Sequence, residues 1–228
     1  MSLAENIGVV KQRINQAAQR SGRSAEDIQL IAVTKTLPVA VLQEAYQFGL
    51  RHYGESRAQE FRDKMQALPE DIVWHFIGHL QTNKIKYVIP SCALMHSLDS
   101  MHLALSISEF CAKRDITRSF LLEVKTSAEA TKFGFDPDEV VASYLKISEL
   151  NHIRLKGLMT IAPFVEDTDQ IRNSFRVLRE IRDDLYKKIG RHQILELSMG
   201  MSLDYEIAIE EGSTMVRIGT ALFGPRGR

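Results

Sequence analysis

Short apolar runs of strand length alternate along this chain with stretches in which apolar residues recur at helical spacing. Parallel strands need a crossover between them, usually a helix, so this alternation is typical of a parallel sheet covered by helices. Eight such units in 228 residues predict a (β/α)8 TIM barrel of the α/β class. An open doubly wound sheet is the alternative. The predicted strands are residues 28–34, 51–55, 73–77, 94–97, 119–124, 153–158, 194–198 and 214–218.

The helical pattern is clearest between residues 171 and 189, where apolar side chains recur at steps of three and four. They form one stripe that predicts a helix packed on the sheet: Ile171, Phe175, Leu178, Ile181, Leu185 and Ile189. A second apolar series predicts an extra N-terminal helix that ends near Gly22: Ile7, Val10, Ile14 and Ala17. Without a Pro- or Gly-rich linker to divide the chain, residues 1–228 are predicted to form a single domain.

The charge composition does not favour nucleic acids or membranes as partners. Lys and Arg total 29, as do Asp and Glu, so no net field attracts nucleic acids or membranes. No apolar stretch approaches the roughly 18 residues of a membrane span, and the N-terminus does not resemble a signal peptide. We therefore expect a cytoplasmic protein that binds neither nucleic acid nor membrane.

Lys35 directly follows the apolar run 28–34, where a buried strand delivers its amine to the surface of the barrel. A protonated lysine is a poor nucleophile, but desolvation lowers the pKa of an amine and frees it for Schiff-base formation with an aldehyde. In the alternative interpretation Lys35 only ends a strand and points into water, as most lysines do. Its position favours a function, because the chemistry of parallel barrels lies at the carboxyl ends of the strands.

Two loops at that same end have the composition of an anion site. Residues 198–206 form a small-residue loop that runs into a helix, with Ser202 as the predicted N-cap. Arg217, Gly219 and Thr220 add a cation, a glycine that permits close approach, and a hydroxyl. Loops after strands seven and eight bind phosphate in many barrels. Taken singly, each loop is explained equally well by tight turns at its glycines and by a carboxylate partner for Arg217.

An amine opposite an anion site suggests one ligand for both. An aldehyde that carries a phosphate would engage Lys35 and the two loops together, and pyridoxal 5'-phosphate (PLP) is the obvious candidate. Ser56 follows the second predicted strand and Met159 the sixth, so both belong to the same end of the barrel.

Eight motifs occur in order between about residues 28 and 226: LIAVTKT, HYGESRAQE, WHFIGHLQTNK, HSLDSMHLA, ATKFGF, LKGLMTI, LSMGMSLDYEIAI and GSTMVRIGTALFGPR. Together they resemble the pyridoxal phosphate homeostasis protein family, which shares its barrel with the N-terminal domain of alanine racemases. The resemblance implies a Schiff base between PLP and Lys35, Arg217 at the pyridine nitrogen and Met159 near the ring. It also implies three phosphate-binding residues: Ser202, Gly219 and Thr220.

The sequence departs at three positions, in two places along the chain, from the pattern that this family commonly shows. Ser56 stands where Asn is common, and Glu123-Val124-Lys125 stands where Gln-Val-Asn is common. The shorter side chain of Ser56, which we keep in the predicted cofactor site, leaves one ring contact to water. Lys125 places a cation at the mouth of the fifth strand.

The resemblance favours binding over catalysis. Alanine racemases take a second base from a tyrosine in a further β domain, whereas this chain ends at Arg228, directly after the eighth strand and its tail. An arginine at the pyridine nitrogen also disfavours ring protonation and weakens the ring as an electron sink. We therefore expect a monomeric PLP homeostasis protein that holds this vitamin B6 cofactor reversibly and releases it to apo-enzymes or amines, without significant catalysis. A weak PLP-dependent amino-acid racemase and a colourless Schiff-base aldolase are the alternatives.

Some other polar residues have two interpretations. Lys84 and Lys86 are either solvated charges at a helix start or transient amines for the cofactor, and Lys132 lies either near the site or on the surface. His75 and His79 are four residues apart on a strand that leads into a loop, so they do not share a helical face and no metal site is expected.

Overall fold

The predicted strands form a closed barrel in the computed structural model, which describes residues 1–127, 133–190 and 195–225. All neighbouring strands are parallel and follow chain order, and the first pairs with the last. The barrel prediction is confirmed, and the open-sheet alternative is wrong. The strands are β1 (Gln29–Val33), β2 (His52–Glu55), β3 (Val73–Phe76), β4 (Leu94–Leu98), β5 (Arg118–Glu123), β6 (Ile153–Met159), β7 (Glu196–Ser198) and β8 (Met215–Ile218).

The helices cover the outside of the barrel, and all but the first and the last lie in the connections between strands. They are α1 (Leu3–Arg20), α2 (Val39–Gln47), α3 (Ala58–Ala67), α4 (Ile85–Val88), α5 (Met101–Ala112), α6 (Val140–Ser148), α7 (Thr168–Ile189), α8 (Tyr205–Glu210) and α9 (Thr220–Phe223). Short 3-10 turns occur at Ala25–Asp27, Thr82–Lys84 and Pro137–Glu139. Within the described ranges, no helix has both the length and the apolar character that a membrane crossing requires.

Both helices that the sequence predicted with specific residues are present. In α1 the side chains of Ile7, Val10 and Ile14 are buried, and Ser2 and Glu5 form a capping box at its start. In α7 the predicted apolar stripe faces the barrel, and Asp167 accepts hydrogen bonds from the first backbone N–H groups of the helix. The two predictions are confirmed.

The interior of the barrel is partly apolar and partly polar. Leu94, Leu121 and Met159 form an apolar cluster, and Met215 of β8 packs against it across the interior. Hydrogen-bonded polar side chains also cross the interior, among them His96 of β4, whose Nδ1 lies 2.8 Å from Ser198 Oγ of β7. A TIM barrel interior is usually dominated by branched apolar residues, so this polar part is unusual.

Candidate functional site

A cavity of about 710 Å³ opens at the carboxyl end of the barrel. Its walls come from the ends of strands and the loops that follow them, including those after β1, β2, β6, β7 and β8. Residues that the sequence placed on separate loops line this one cavity: Lys35, Ser56, Ser202, Arg217, Gly219 and Thr220. The structure therefore brings these six residues together, while the ligand contact expected of each stays a prediction.

Met159 does not line this cavity. It is the last residue of β6 and is fully buried in the apolar cluster with Leu94 and Leu121. Its predicted contact with a cofactor ring has no support in this arrangement and stays a prediction.

Lys35 follows β1 at the cavity wall, in a segment with strained backbone. The residue as a whole is exposed, and the desolvation of its amine stays a prediction. The next residue, Thr36, has a φ of 64°, a left-handed conformation that is uncommon for residues other than glycine. Its backbone N–H donates to Glu60 Oε2 over 2.6 Å, which helps to hold the strained turn in place.

A buried ion pair lies directly behind this turn. Lys64 Nζ lies 2.7 Å from Glu55 Oε1, and it also donates to the Thr34 carbonyl over 2.8 Å and to Glu60 over 2.9 Å. Burial raises the pKa of Glu55, while the hydrogen bonds from Lys64 and Thr34 lower it. The sequence analysis missed Lys64, although its i,i+4 spacing from Glu60 and its place on the inner face of α3 were available signals.

The loops after β7 and β8 are joined through Ser202, but not in the predicted way. The prediction that Ser202 is the N-cap of the following helix is wrong, because Asp204 occupies that position in α8. The Ser202 hydroxyl instead accepts hydrogen bonds from the backbone N–H groups of Gly219 and Ala221, at 3.2 and 3.1 Å. Because these bonds use both lone pairs, the hydroxyl hydrogen is left as a donor.

Gly200 allows the same two loops to pack against α8. Its φ is +94°, and a Cβ at this position would lie 2.6 Å from the Ala208 Cβ. Its carbonyl accepts a hydrogen bond from the backbone N–H of Arg217 over 2.9 Å. A larger residue at position 200 would therefore displace the backbone that carries Ser202.

Arg217 is the buried cation of the site. The residue is 3% exposed, and its guanidinium donates to Ser198 Oγ over 2.6 Å and to the Thr160 carbonyl over 2.8 Å. Burial lowers the pKa of Arg217 to about 10, and the nearby carboxylates of Asp204 and Glu123 oppose that shift. At pH 7 the side chain is still protonated, so it presents a fixed positive charge at the cavity.

The loop after β6 supplies a wall that the sequence analysis missed. Residues 161–166 line the cavity, and Phe164 is 90% exposed. In this region the sequence analysis considered only Met159 as a candidate. A run of apolar side chains placed directly after a strand, where a loop is usually polar, was the available signal.

The other candidate residues lie away from the cavity or outside the described structure. Lys84 and Lys86 place their amines over the ring of Tyr87, at 5.7 and 5.0 Å from its centroid. Lys125 forms an ion pair with Asp136. Lys132 lies outside the described residues. Among the residues that are described, no group of three or more His, Cys, Asp or Glu side chains is arranged to hold a metal ion.

Comparisons with known proteins agree with this fold. The family model for the N-terminal domain of alanine racemase matches residues 6–227. A pyridoxal phosphate homeostasis protein of Aquifex aeolicus is 44% identical over 227 residues, which cover 99% of each chain. The structure of PipY from Synechococcus elongatus with PLP bound superposes with a TM-score of 0.84 at 34% identity, covering 98% of this chain and 100% of PipY.

The solved structures also include alanine racemases, which share only the fold. The enzyme of Clostridium difficile superposes with a TM-score of 0.80 at 17% identity, covering 99% of this chain but 57% of the enzyme. The fold and the family model thus define a barrel of the alanine racemase N-terminal domain class. Within that class, the chain belongs to the pyridoxal phosphate homeostasis protein family. The family identified from the eight sequence motifs is confirmed.

Proposed function

We propose that this protein binds PLP in the cavity at the carboxyl end of its barrel and takes part in PLP homeostasis. The observation that carries the proposal is that Lys35, the Ser202 loop and Arg217 meet in one cavity. The available groups fit PLP chemically: an amine for the aldehyde, hydroxyl and N–H donors for the phosphate, and a guanidinium for the ring nitrogen. The names of the relatives and the PLP bound to PipY support the same ligand.

Each residue has a separate role in this proposal. When bound, PLP supplies an aldehyde that condenses reversibly with a primary amine and releases one water molecule. Lys35 provides that amine and so acts as a reversible tether. Ser202 and Thr220 donate to the phosphate through their hydroxyls, and Gly219, whose N–H donates to Ser202 Oγ, lets the phosphate approach the backbone closely. Ser56 and Met159 are assigned to the ring.

Arg217 is the reason to propose binding and delivery rather than catalysis. Arginine can only donate hydrogen bonds, so a ring nitrogen that faces Arg217 accepts one and stays unprotonated. An unprotonated ring withdraws electrons weakly, which opposes carbanion chemistry but leaves exchange of one amine for another possible. We therefore propose that the protein acts as a monomer in the cytoplasm, as one PLP-binding domain, and delivers PLP to apo-enzymes or amines. These features stay predictions.

The proposed function predicts delivery of PLP without turnover. The PLP-loaded protein, incubated with alanine or serine, should show no racemase or decarboxylase turnover near the low end of ordinary enzyme rates, about 1 s⁻¹. Mixed with an apo PLP-dependent enzyme, it should restore that enzyme's activity. Chiral chromatography of the amino acids and the activity of the recipient enzyme measure the two outcomes. Sustained conversion of one enantiomer would support the racemase alternative, and failure of the wild type to retain PLP would contradict the proposal.

The phosphate site predicts a second result. Ser202→Ala and Thr220→Ala should each weaken PLP binding by about 1–2 kcal/mol, because each removes one hydrogen bond to a charged group. Pyridoxal, which has no phosphate, should bind the wild type far more weakly than PLP and should be almost insensitive to either substitution. Titrations of the three proteins with both aldehydes measure these differences. Equal affinities of the wild type for PLP and pyridoxal would remove the phosphate site from the proposal.

A further inference from the structure

A continuous series of hydrogen-bonded side chains leads from Arg217 through the barrel interior. Arg217 Nη1 lies 2.6 Å from Ser198 Oγ, which lies 2.8 Å from His96 Nδ1. The Nε2 atom of His96 lies 2.9 Å from His75 Nδ1, and His75 Nε2 lies 3.0 Å from His52 Nδ1. We call the four residues His52, His75, His96 and Ser198 the histidine relay.

The relay connects the two ends of the barrel. Ser198 and His96 lie on β7 and β4, which are not neighbours, so the bond between them crosses the interior. The side chains of His75, His96 and Ser198 are at most 3% exposed. At the far end, His52 is half-buried at the first residue of β2 and lines a second cavity of about 390 Å³. The register between β4 and β5 shifts next to His96, an irregularity of the kind that re-aims a side chain.

Arg217 fixes the direction of every hydrogen bond in the relay. A guanidinium has no acceptor, so Ser198 must accept from it. The Ser198 hydroxyl is then satisfied in the buried interior by donating to His96 Nδ1. It follows that His96 donates through Nε2 to His75, and His75 donates through Nε2 to His52. All three histidines are then neutral and carry their proton on Nε2.

This direction helps to stabilise a buried cation, which the nearby carboxylates of Asp204 and Glu123 also favour. Every acceptor atom in the relay points toward Arg217, so the negative ends of the successive dipoles face its charge. The other hydrogen bond of the guanidinium described above also goes to a neutral oxygen, the Thr160 carbonyl. Burial lowers the pKa of His75 to about 3 and that of His96 well below its usual range, in keeping with neutral imidazoles. Apolar residues of similar size would fill the interior at a lower desolvation cost, so the polar series calls for an explanation.

We propose that the histidine relay positions Arg217 and stabilises its charge, and that Ser198, His96 and His75 are thereby positioning residues for the ring of the bound cofactor. Ser198 and Thr160 each hold one terminal nitrogen of the guanidinium, so its remaining N–H groups keep a fixed direction toward the cavity. The inference rests on the proposed binding of PLP, but the direction of the relay is a property of the ligand-free protein and is tested without any ligand.

The first test is the proton position on each histidine of the ligand-free protein. With ¹⁵N-labelled histidine at pH 7, the relay predicts that His52, His75 and His96 are neutral and protonated at Nε2. In Ser198→Ala the direction is no longer imposed, so His96 and His75 should show mixed proton positions although only one of them touched the serine. Ser213→Ala is the control, because it removes an equally buried hydroxyl that bonds only to backbone carbonyls. A wild type with the proton on Nδ1 of His96, or no change in Ser198→Ala, would overturn the proposal.

The second test is the visible absorbance of PLP bound to the protein. Ser198→Ala should shift the absorption maximum and bind PLP about tenfold more weakly, whereas Ser213→Ala should do neither. His96→Leu should reproduce the Ser198→Ala spectrum, and His96→Gln should partly restore the wild-type spectrum, since glutamine keeps one donor and one acceptor. If His96→Leu does not fold, Ser198→Ala and the wild-type histidine spectra decide the question. Absence of bound PLP in the wild type contradicts the proposed function instead, and unchanged spectra in the variants contradict only the relay.

Discussion

Replacement of Lys35 by alanine is expected to abolish covalent attachment of PLP while the barrel stays folded. Lys35 is exposed at the end of β1, so its loss opens no cavity in the core. Borohydride reduces the bond between PLP and a lysine and makes it permanent, so mass spectrometry after reduction and peptide mapping measures the attachment. Wild-type protein should carry one PLP on the peptide that contains Lys35, and Lys35→Ala should carry none. Circular dichroism checks the fold.

The matched control for this experiment is Lys84→Ala. Lys84 also carries an amine, but it lies over the ring of Tyr87 and does not line the cavity. Its replacement should leave the labelling of Lys35 unchanged. Stoichiometric labelling of the Lys35→Ala protein would show that another lysine is the tether, and Lys132 would then be the first residue to replace.

The barrel could be predicted from the sequence because buried strands and helices produce periodic patterns of apolar residues. A strand covered on both faces appears as an apolar run, and a helix on its outer face appears as a stripe such as that of α7, so alternation and count together indicated the topology. The site followed from the same reasoning. Lys35 and Arg217 are separated by most of the chain, yet each lies at or beside the carboxyl end of a strand, and those ends meet at one face of a barrel.

The contacts between side chains could not be predicted in this way. Ser202 caps the segment after β8 rather than its own helix, which depends on how two loops pack and not on any local pattern. His75 was judged only by its spacing from His79, whereas its actual partners are His52 and His96 on the neighbouring strands. Such pairs are set by the register of adjacent strands, and a one-residue slip would turn the side chains to the opposite face. That register cannot be determined from a single sequence.

Among the substitutions proposed for this protein, replacement of Lys64 by methionine is expected to cause the largest loss of folding stability. Lys64 is the partner of Glu55 in a buried pair, with side chains 8% and 0% exposed, and methionine has a similar length but no charge. Removing one partner of a buried pair leaves the other charge uncompensated and typically costs about 3–5 kcal/mol. Urea denaturation measures the free energy of unfolding. The control is Lys113→Met, which breaks an exposed pair with Glu109 and should leave stability nearly unchanged.

The pH dependence of that loss identifies Glu55 as its cause. Burial raises the pKa of Glu55, and in Lys64→Met the main opposing group is gone, so the folded variant favours a protonated carboxyl more strongly than the unfolded chain does. The loss of stability should therefore be smallest below the unfolded glutamate pKa of about 4.3. It should grow as the pH rises through the pKa of Glu55 in the folded variant. A penalty that does not change with pH, or one that Glu55→Gln in the same protein fails to reduce, would assign the loss to packing instead. Because Lys64 also holds the Thr34 carbonyl and Glu60, the variant should loosen the turn that carries Lys35 and slow the labelling of that residue by PLP.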